Sequence, residues 1–148
     1  MHFLTLTTLL ATASAVPTLY QRSPVGHAEP ILITDYSVRK TNGTIQNVNF
    51  HIHGFQARNV SCAAGPILSL PSEAVTCGAS NYRFVLSPLN GTDPNQYDLS
   101  VYHQTGFASG KYATGTVPTY CVAGGLGPQD LQCNQIRQLG PYKLTLRS

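Results

Sequence analysis

The sequence predicts an all-β protein folded as an antiparallel sandwich or barrel. Apolar residues recur at every second position in short runs, and turn-forming residues separate these runs at a spacing of about ten residues. No window of helical length shows a period of about 3.6 residues. With 148 residues, of which 42% are hydrophobic, the chain is long enough to form one domain around its own core.

The first fifteen residues are typical of a secretory signal peptide. An apolar run follows Met1-His2, and Ala13-Ser14-Ala15 provides the small-x-small pattern that signal peptidase accepts. The alternative for this stretch is a buried first strand. Because neither this run nor any later segment approaches the roughly 18 apolar residues of a membrane helix, we expect a secreted, extracellular chain without a membrane span.

The next segment predicts a flexible N-terminal arm. Residues 17 to 30 contain three prolines and show no hydrophobic periodicity. We assign residues 16 to 29 to this arm and residues 30 to 148 to a single domain, because no internal repeat and no linker interrupts the later β pattern.

The domain begins with a predicted β-hairpin. Two runs of period two, residues 31 to 40 and 46 to 52, flank the sequence Thr41-Asn42-Gly43-Thr44. Its Asn-Gly pair supplies the positive φ angles that a two-residue hairpin turn requires. The residues assigned to one face of each run are Leu32, Tyr36 and Val38 in the first and Val48, Phe50 and Ile52 in the second.

Four later runs predict further strands. They cover residues 82 to 87, 97 to 103, 111 to 117 and 141 to 148, with turn-rich breaks between them. The alternation places His103 on the apolar side of its strand, where we expect it to be hydrogen-bonded in the core. The other residues assigned to that side of their strands are Tyr82, Phe84, Leu86, Tyr97, Leu99, Val101, Tyr142, Leu144 and Leu146.

Charge is sparse and spread along the chain. Only 10% of residues are charged, and the net charge of +3 comes from basic residues that form no block. Nucleic-acid binding depends on clustered phosphate contacts, and membrane-surface helices carry their basic residues on one face. The composition therefore indicates neither a nucleic-acid partner nor a membrane-bound protein.

Catalytic and metal-binding signals are weak. His51 and His53 share one strand face roughly 7 Å apart, so they could share a metal only if a further ligand approached them. No nucleophile elbow, zincin motif or kinase signature is present. We therefore predict a non-enzymatic protein with no catalytic residue, cofactor or metal. The acidic residues after the signal, none of them in an evident pair, are Glu29, Asp35, Glu73, Asp93, Asp98 and Asp130.

Four cysteines follow the signal, namely Cys62, Cys77, Cys121 and Cys133. An even number in a secreted chain indicates disulfides, and four cysteines allow three pairings. The local pairing would close two short loops, each stabilising the fold by roughly 3 kcal/mol on the loop-entropy model. A zinc site is the alternative, but structural zinc sites use cysteine pairs that are much closer in sequence.

The segment between the last two cysteines contains three glycines and a proline. It lacks both the Gly-Lys-Ser/Thr end of a phosphate-binding loop and the Gly-x-Gly-x-x-Gly pattern of a dinucleotide site. Glycine permits the unusual φ angles of a tight excursion, and Pro128 stiffens it. We interpret the segment as a tight, Ω-like loop rather than a nucleotide site.

One pattern points to a family. The stretch Tyr120-Cys121-x-Ala123-Gly124-Gly125-x-Gly127-Pro128-x-Asp130-x-x-Cys133 resembles the signature of the Alternaria major-allergen family of secreted fungal proteins, and Cys62 with Cys77-Gly78 matches its other bridge. The resemblance covers about residues 30 to 147. It implies a compact antiparallel β-barrel of many short strands, cross-linked by two intrachain disulfides, Cys62 with Cys77 and Cys121 with Cys133.

The resemblance also implies a function. Such proteins act as effectors, elicitors and allergens, so we expect non-enzymatic recognition of plant defence or cell-wall components. The partner expected from the resemblance is an extracellular plant defence protein of the thaumatin-like class. The alternative is a carrier whose barrel holds a small apolar or phenolic, flavonoid-like ligand. The founding allergen is a dimer linked through an additional N-terminal cysteine, which the arm here lacks, so we expect no covalent dimer and leave non-covalent association open.

Two further sets of residues bear on the surface. Three sequons make Asn42, Asn59 and Asn90 candidate N-glycosylation sites, of which Asn42 and Asn90 fall in predicted turns. Among eight tyrosines, the candidates for contact surface at a partner site or a barrel mouth are Tyr82, Tyr97, Tyr102 and Tyr112, but we expect most of them in the core or at its rim and assign none of them as a site.

Overall fold

A computed structural model describes residues 27–148 as ten β-strands and one 3₁₀ turn, which confirms the all-β class. The predicted signal peptide and all but the last residues of the predicted arm lie outside this range. The elements are β1 (Glu29–Thr41), β2 (Thr44–Gly54), β3 (Val60–Ala64), β4 (Val75–Thr76), β5 (Tyr82–Pro88), β6 (Tyr97–Gly106), β7 (Ser109–Thr116), β8 (Thr119–Ala123), β9 (Asp130–Gln135), the turn Arg137–Leu139 and β10 (Tyr142–Leu146). No helix among the described residues is long and apolar enough to cross a membrane.

The strands form two antiparallel sheets. The larger has the order β3-β2-β1-β9-β8, with β10 also paired to β1, and the smaller has the order β4-β5-β6-β7. Two strands pair with the same edge of β1. Strand β10 pairs with the first part of β1, Glu29–Ile33, and β9 pairs with the last part, Ser37–Thr41. The long first strand therefore organises the larger sheet.

A bulge in β1 changes which side chains reach the core. The pairing of β1 with β2 shifts between Thr34 and Ser37, and Asp35 at this point has a φ of 53°. An extra residue reverses the alternation of a strand. The prediction that Leu32 shares a face with Tyr36 and Val38 is therefore wrong, and Leu32 is 39% exposed. Before the bulge, the buried side chains of β1 are instead Ile31 and Ile33, which lie in the core with Tyr36 and Val38.

The predicted hairpin between β1 and β2 is confirmed. Asn42 and Gly43 have φ angles of 51° and 81°, and Thr41 lies opposite Thr44. Positive φ at both central residues is the geometry of a type I′ turn, whose twist matches that of the flanking strands.

The core lies between the two sheets, and aromatic side chains join them. Phe50 of the larger sheet packs edge-to-face on Phe84 of the smaller, with ring centroids 5.0 Å apart, and Tyr36 lies 6.0 Å from Phe50. The predicted inward faces of β2, β5 and β6 are confirmed, and Leu144 and Leu146 of β10 are buried as expected.

The prediction of a closed barrel is wrong, because the two sheets do not join into one continuous sheet. On one side, β7 meets the chain just after β10 through a single bridge, in which Tyr112 and Arg147 exchange two backbone hydrogen bonds of 2.9 and 3.0 Å. On the other side, β4 has only two residues and no ladder with β3. Pro66 and Pro71 in the connection between them have no N–H to donate to such a ladder.

The two disulfides lie at different kinds of position. Cys62 of β3 bonds to Cys77, the residue after β4, and so links the two sheets where the ladder is missing. Cys121 of β8 bonds to Cys133 of β9, and the two residues are directly opposite in the register. The segment interpreted as an Ω-like loop is therefore a β-hairpin with a cross-strand disulfide, since residues on both sides of the glycines pair.

Candidate functional site

The outer face of the smaller sheet carries a row of aromatic and basic side chains. Because the inward positions of β6 are Leu99, Val101 and His103, its Tyr102 points outward. Arg83 of β5 and Tyr112 of β7 lie directly opposite Tyr102 on either side. The bridge from Tyr112 extends the row to Arg147. We call these four residues, Arg83, Tyr102, Tyr112 and Arg147, the tyrosine face.

The two central rings form an exposed stack. The ring centroids of Tyr102 and Tyr112 are 6.0 Å apart with an interplanar angle of 22°, and the residues are 41% and 58% exposed. A cross-strand aromatic pair of this kind contributes about 0.5–1.5 kcal/mol beyond its buried area. The stack therefore holds both rings in place while leaving aromatic surface open for contact.

A shallow groove of about 600 Å³ runs along this face. Its lining includes Arg83, Tyr102 and Tyr112, apolar contributions from Val85 and Ala108, and the amine-bearing Lys111, but no acidic side chain. The groove therefore combines aromatic surface with positive charge.

A buried carboxylate lies behind the groove. Glu29 is 8% exposed, and Tyr82 donates a hydrogen bond of 2.5 Å to its Oε1. His103 Nδ1 lies 2.8 Å from Oε2, and Lys111 Nζ lies 3.7 Å from the same oxygen. The rings of Tyr82 and His103 stack with centroids 4.1 Å apart. The expectation that His103 is hydrogen-bonded in the core is confirmed.

The contacts of Glu29 favour its charged form. Burial by itself would raise the pKa of Glu29, but the hydrogen bonds from Tyr82 and His103 and the positive charge of Lys111 outweigh burial and lower the pKa. Burial and the neighbouring Glu29 carboxylate raise the pKa of the Tyr82 hydroxyl. Both carboxylate oxygens already have partners, so the cluster anchors the start of β1 to β5, β6 and β7 rather than presenting a free base.

The cluster was not recognisable from the sequence, because Glu29 fell in the predicted arm. The period-two positions of Ile31 and Ile33, extended back by two residues, would have placed Glu29 on the buried face. Its partners on β5, β6 and β7 are 53 or more residues away in the chain, so no local pattern connects them.

A second buried carboxylate, Asp130, explains one glycine of the glycine-rich signature. Asp130 accepts two hydrogen bonds from the Arg39 guanidinium, at 3.1 and 2.9 Å, one from Thr41 Oγ1 at 2.9 Å and one from the backbone N–H of Leu126 at 3.0 Å. These hydrogen bonds, the Arg39 contact foremost, lower the pKa of Asp130 to about 2. A Cβ on Gly124 would collide with the carboxylate, so glycine is required there.

The remaining candidates lie elsewhere. His53 Nε2 is 3.0 Å from Thr34 Oγ1, and His51 Nδ1 is 3.8 Å from Asp35 Oδ2. Within residues 27–148, no group of three or more histidine, cysteine, aspartate or glutamate side chains could hold a metal ion. Of the four candidate tyrosines, Tyr82 and Tyr97 are buried, so these two do not form contact surface.

The three sequon asparagines are exposed and lie away from the tyrosine face. Asn42 is in the β1–β2 turn, Asn59 directly precedes β3, and Asn90 is in the loop between β5 and β6. Their modification stays a prediction.

Comparison with known proteins places this geometry in context. The sequence model of the family "Alternaria alternata allergen 1" matches residues 33–133. "Effector protein PevD1" of Verticillium dahliae is 47% identical over 111 residues, which are 72% of this chain and 66% of that protein, and the same values hold for its counterpart in strain VdLs.17. The chain thus spans slightly less than two thirds of these relatives.

Two solved structures share the fold. Both are crystal structures of the Alternaria alternata major allergen Alt a 1, with TM-scores of 0.61 and 0.59 and sequence identities of 22% and 23%. Each comparison covers 80% of this chain, and 85% and 90% of the respective allergen chain. At this level of identity the likeness supports the architecture alone.

Proposed function

Because the chain belongs to the Alternaria alternata allergen 1 family, we propose that it is a secreted effector of a fungus that acts by non-enzymatic recognition of a plant host. The observation that carries the proposal is the 47% identity to an effector protein of Verticillium dahliae. The partner we propose is an extracellular plant component, either a defence protein of the thaumatin-like class or a component of the cell wall.

The contact surface we propose is the tyrosine face. Its two exposed rings provide contact area at little cost in side-chain entropy, and its arginines provide directional hydrogen bonds. A rigid β scaffold supports it from behind, since the Glu29 cluster ties β1 to the three strands that carry the face. Rigid presentation favours affinity because little conformational freedom is lost on binding.

The test is capture of host components from plant apoplastic fluid, with mass-spectrometric identification. We expect the immobilised protein to retain a specific plant component and the Y112S and R83Q variants to lose it. The matched controls are Y120S and R137Q. Y120S changes an exposed tyrosine of the larger sheet, and R137Q changes an exposed arginine of the 3₁₀ turn. If nothing is retained and the infiltrated protein causes no leaf response, the effector proposal fails.

The second candidate is a carrier of a small phenolic ligand. The groove favours it, because two tyrosine rings and apolar side chains line about 600 Å³. The site would then be an open groove rather than a barrel interior, since core side chains fill the space between the sheets. Thermal stabilisation by members of a phenolic panel, lost in Y112S, would favour the carrier; no shift with any member would exclude it.

A further inference from the structure

The tyrosine face has a regular spacing that a chain-like ligand can match. Neighbouring strands lie about 4.8 Å apart, so the four residues of the row follow one another at this interval across β5, β6, β7 and the residue that follows β10. From Arg83 to Arg147 the row spans about 14 Å. This interval is close to the length of one pyranose unit in an extended polysaccharide. The whole row is longer than a single aromatic acid molecule, so its length suits a chain of several units.

The order of side chains in the row specifies the chemistry. The apolar C–H face of a pyranose ring packs on an aromatic ring, and the row offers two such rings at its centre. Guanidinium groups recognise carboxylates through paired hydrogen bonds, and the row has one at each end. Rings flanked by guanidinium groups therefore suit a sugar chain that carries carboxylates.

The surroundings of the row favour a negatively charged ligand. No acidic side chain lines the groove, and its lining includes the exposed Arg83; the Lys111 amine is also in the lining, but it lies 3.7 Å from the buried Glu29 carboxylate. The nearest carboxylate behind the wall, Glu29, is buried and satisfied by Tyr82, His103 and Lys111. Arg83 and Arg147, the two guanidinium groups of the row, are too few to follow a nucleic-acid backbone, because proteins that bind nucleic acids typically make many phosphate contacts.

We propose that the tyrosine face binds an acidic oligosaccharide of the plant cell wall, a chain of uronic acid residues laid across the strands of the smaller sheet. The two tyrosines stack on consecutive sugar rings, and Arg83 and Arg147 pair with carboxylates on either side of them. The inference rests on the proposed function in taking the host wall as the place where the protein acts.

The test is isothermal titration of the purified chain with oligogalacturonides of one defined length. The free-acid form and the fully methyl-esterified form have the same rings, but only the first has charged carboxylates. We expect the free acid to bind and the ester to bind at least about tenfold more weakly, the loss expected when a charge-assisted hydrogen bond is removed. Affinity for the free acid also falls as salt is added.

Matched variants locate the site. In the R83Q/R147Q double variant, affinity for the free acid falls by about tenfold or more, because both carboxylate partners are lost. Y112S loses affinity for both forms, since it removes a stacking ring. The controls R137Q and Y120S stay within about twofold of the wild type, as expected for changes outside the contact surface. Unchanged melting temperatures establish that each variant is folded.

Several outcomes would overturn the inference. These are an absence of binding, equal affinity for the ester and the free acid, equal losses in the controls, or tighter binding of a single-stranded oligonucleotide at the same salt concentration. The titration uses no plant extract, so it is independent of the capture experiment. Host capture without sugar binding defeats this inference alone, whereas sugar binding without capture or leaf response defeats the effector proposal.

Discussion

Asp130 and Glu29 are two buried carboxylates whose environments both favour the ionised form. Asp130 holds the glycine-rich β8–β9 turn against β1, through Leu126 on one side and Arg39 on the other. Glu29 holds the start of β1 against the smaller sheet. Each carboxylate therefore connects elements that are far apart in sequence. Neutralising the carboxylate weakens all of the hydrogen bonds that it accepts at the same time.

At the residue scale we predict that Asp130 makes stability depend on acid pH. Its pKa is lowered in the fold to about 2 from an ordinary value of 3.8, so its contribution is fully present above the ordinary value and is lost as pH falls towards 2. We expect D130N to be less stable than the wild type at neutral pH and the difference to shrink over this interval. Urea unfolding as a function of pH measures this difference.

The control for this prediction is D35N, which changes an exposed carboxylate 3.6 Å from Arg137. A constant stability difference between D130N and the wild type from neutral pH down to pH about 2 would contradict the assigned role of Asp130.

At the scale of the element, the bulge in β1 decides which side chains enter the core. Its extra residue at Asp35 turns Ile31 and Ile33 inward together with Tyr36 and Val38. The bulge also marks the point along β1 where the partner strand changes from β10 to β9. One local irregularity thus lets a single strand take part in two pairings without losing its buried face.

This gives a prediction about two neighbouring positions. I33A should destabilise the protein by about 2–4 kcal/mol, because it leaves a cavity in the core. L32A should cost less than about 1 kcal/mol, since the side chain is partly in solvent. Chemical denaturation of both variants measures the two values. A larger loss in L32A would mean that the alternation of β1 runs without the bulge.

Most strands could be predicted from the sequence, but the way in which the two sheets meet at their edges could not. Strict alternation identified the inward faces of β2, β5 and β6, and Asn42-Gly43 identified the turn, because these signals are local. The bulge was missed, since Asp35 accepts a positive φ without any flanking glycine or proline to announce it. The tyrosine face was only partly foreseen, because the register that aligns Tyr102 with Tyr112 and Arg83 depends on pairing between strands.

At the scale of the whole molecule, two sheets are held together by a core and by one covalent link between β3 and the end of β4. Cys62 and Cys77 are both fully buried, whereas the second disulfide has one buried partner, Cys133, and one exposed partner, Cys121, and joins neighbouring strands of one sheet. The two disulfides close loops of similar length, with sequence separations of 15 and 12 residues. Any difference between them therefore comes from packing.

We predict that C62A/C77A is less stable than C121A/C133A. Each double variant loses roughly 3 kcal/mol of loop-closure stabilisation, but C62A/C77A loses two buried cysteine side chains from the core, whereas C121A/C133A loses one, that of Cys133. Melting temperatures of the two variants under identical conditions provide the comparison. Equal melting temperatures would show that the link between the sheets adds nothing beyond its loop.

The two sheets are linked unequally at their two edges, by a disulfide at one edge and by the single bridge between Tyr112 and Arg147 at the other. The Cys62–Cys77 bond keeps β3 and β4 together, so we expect the sheets to separate first where β7 and the residue after β10 share only two backbone hydrogen bonds. Tyr112 and Arg147 also belong to the tyrosine face, so a ligand that contacts both residues would stabilise the pairing of the two sheets at this edge. Occupancy of the face would then be visible as slower hydrogen exchange at these two amides.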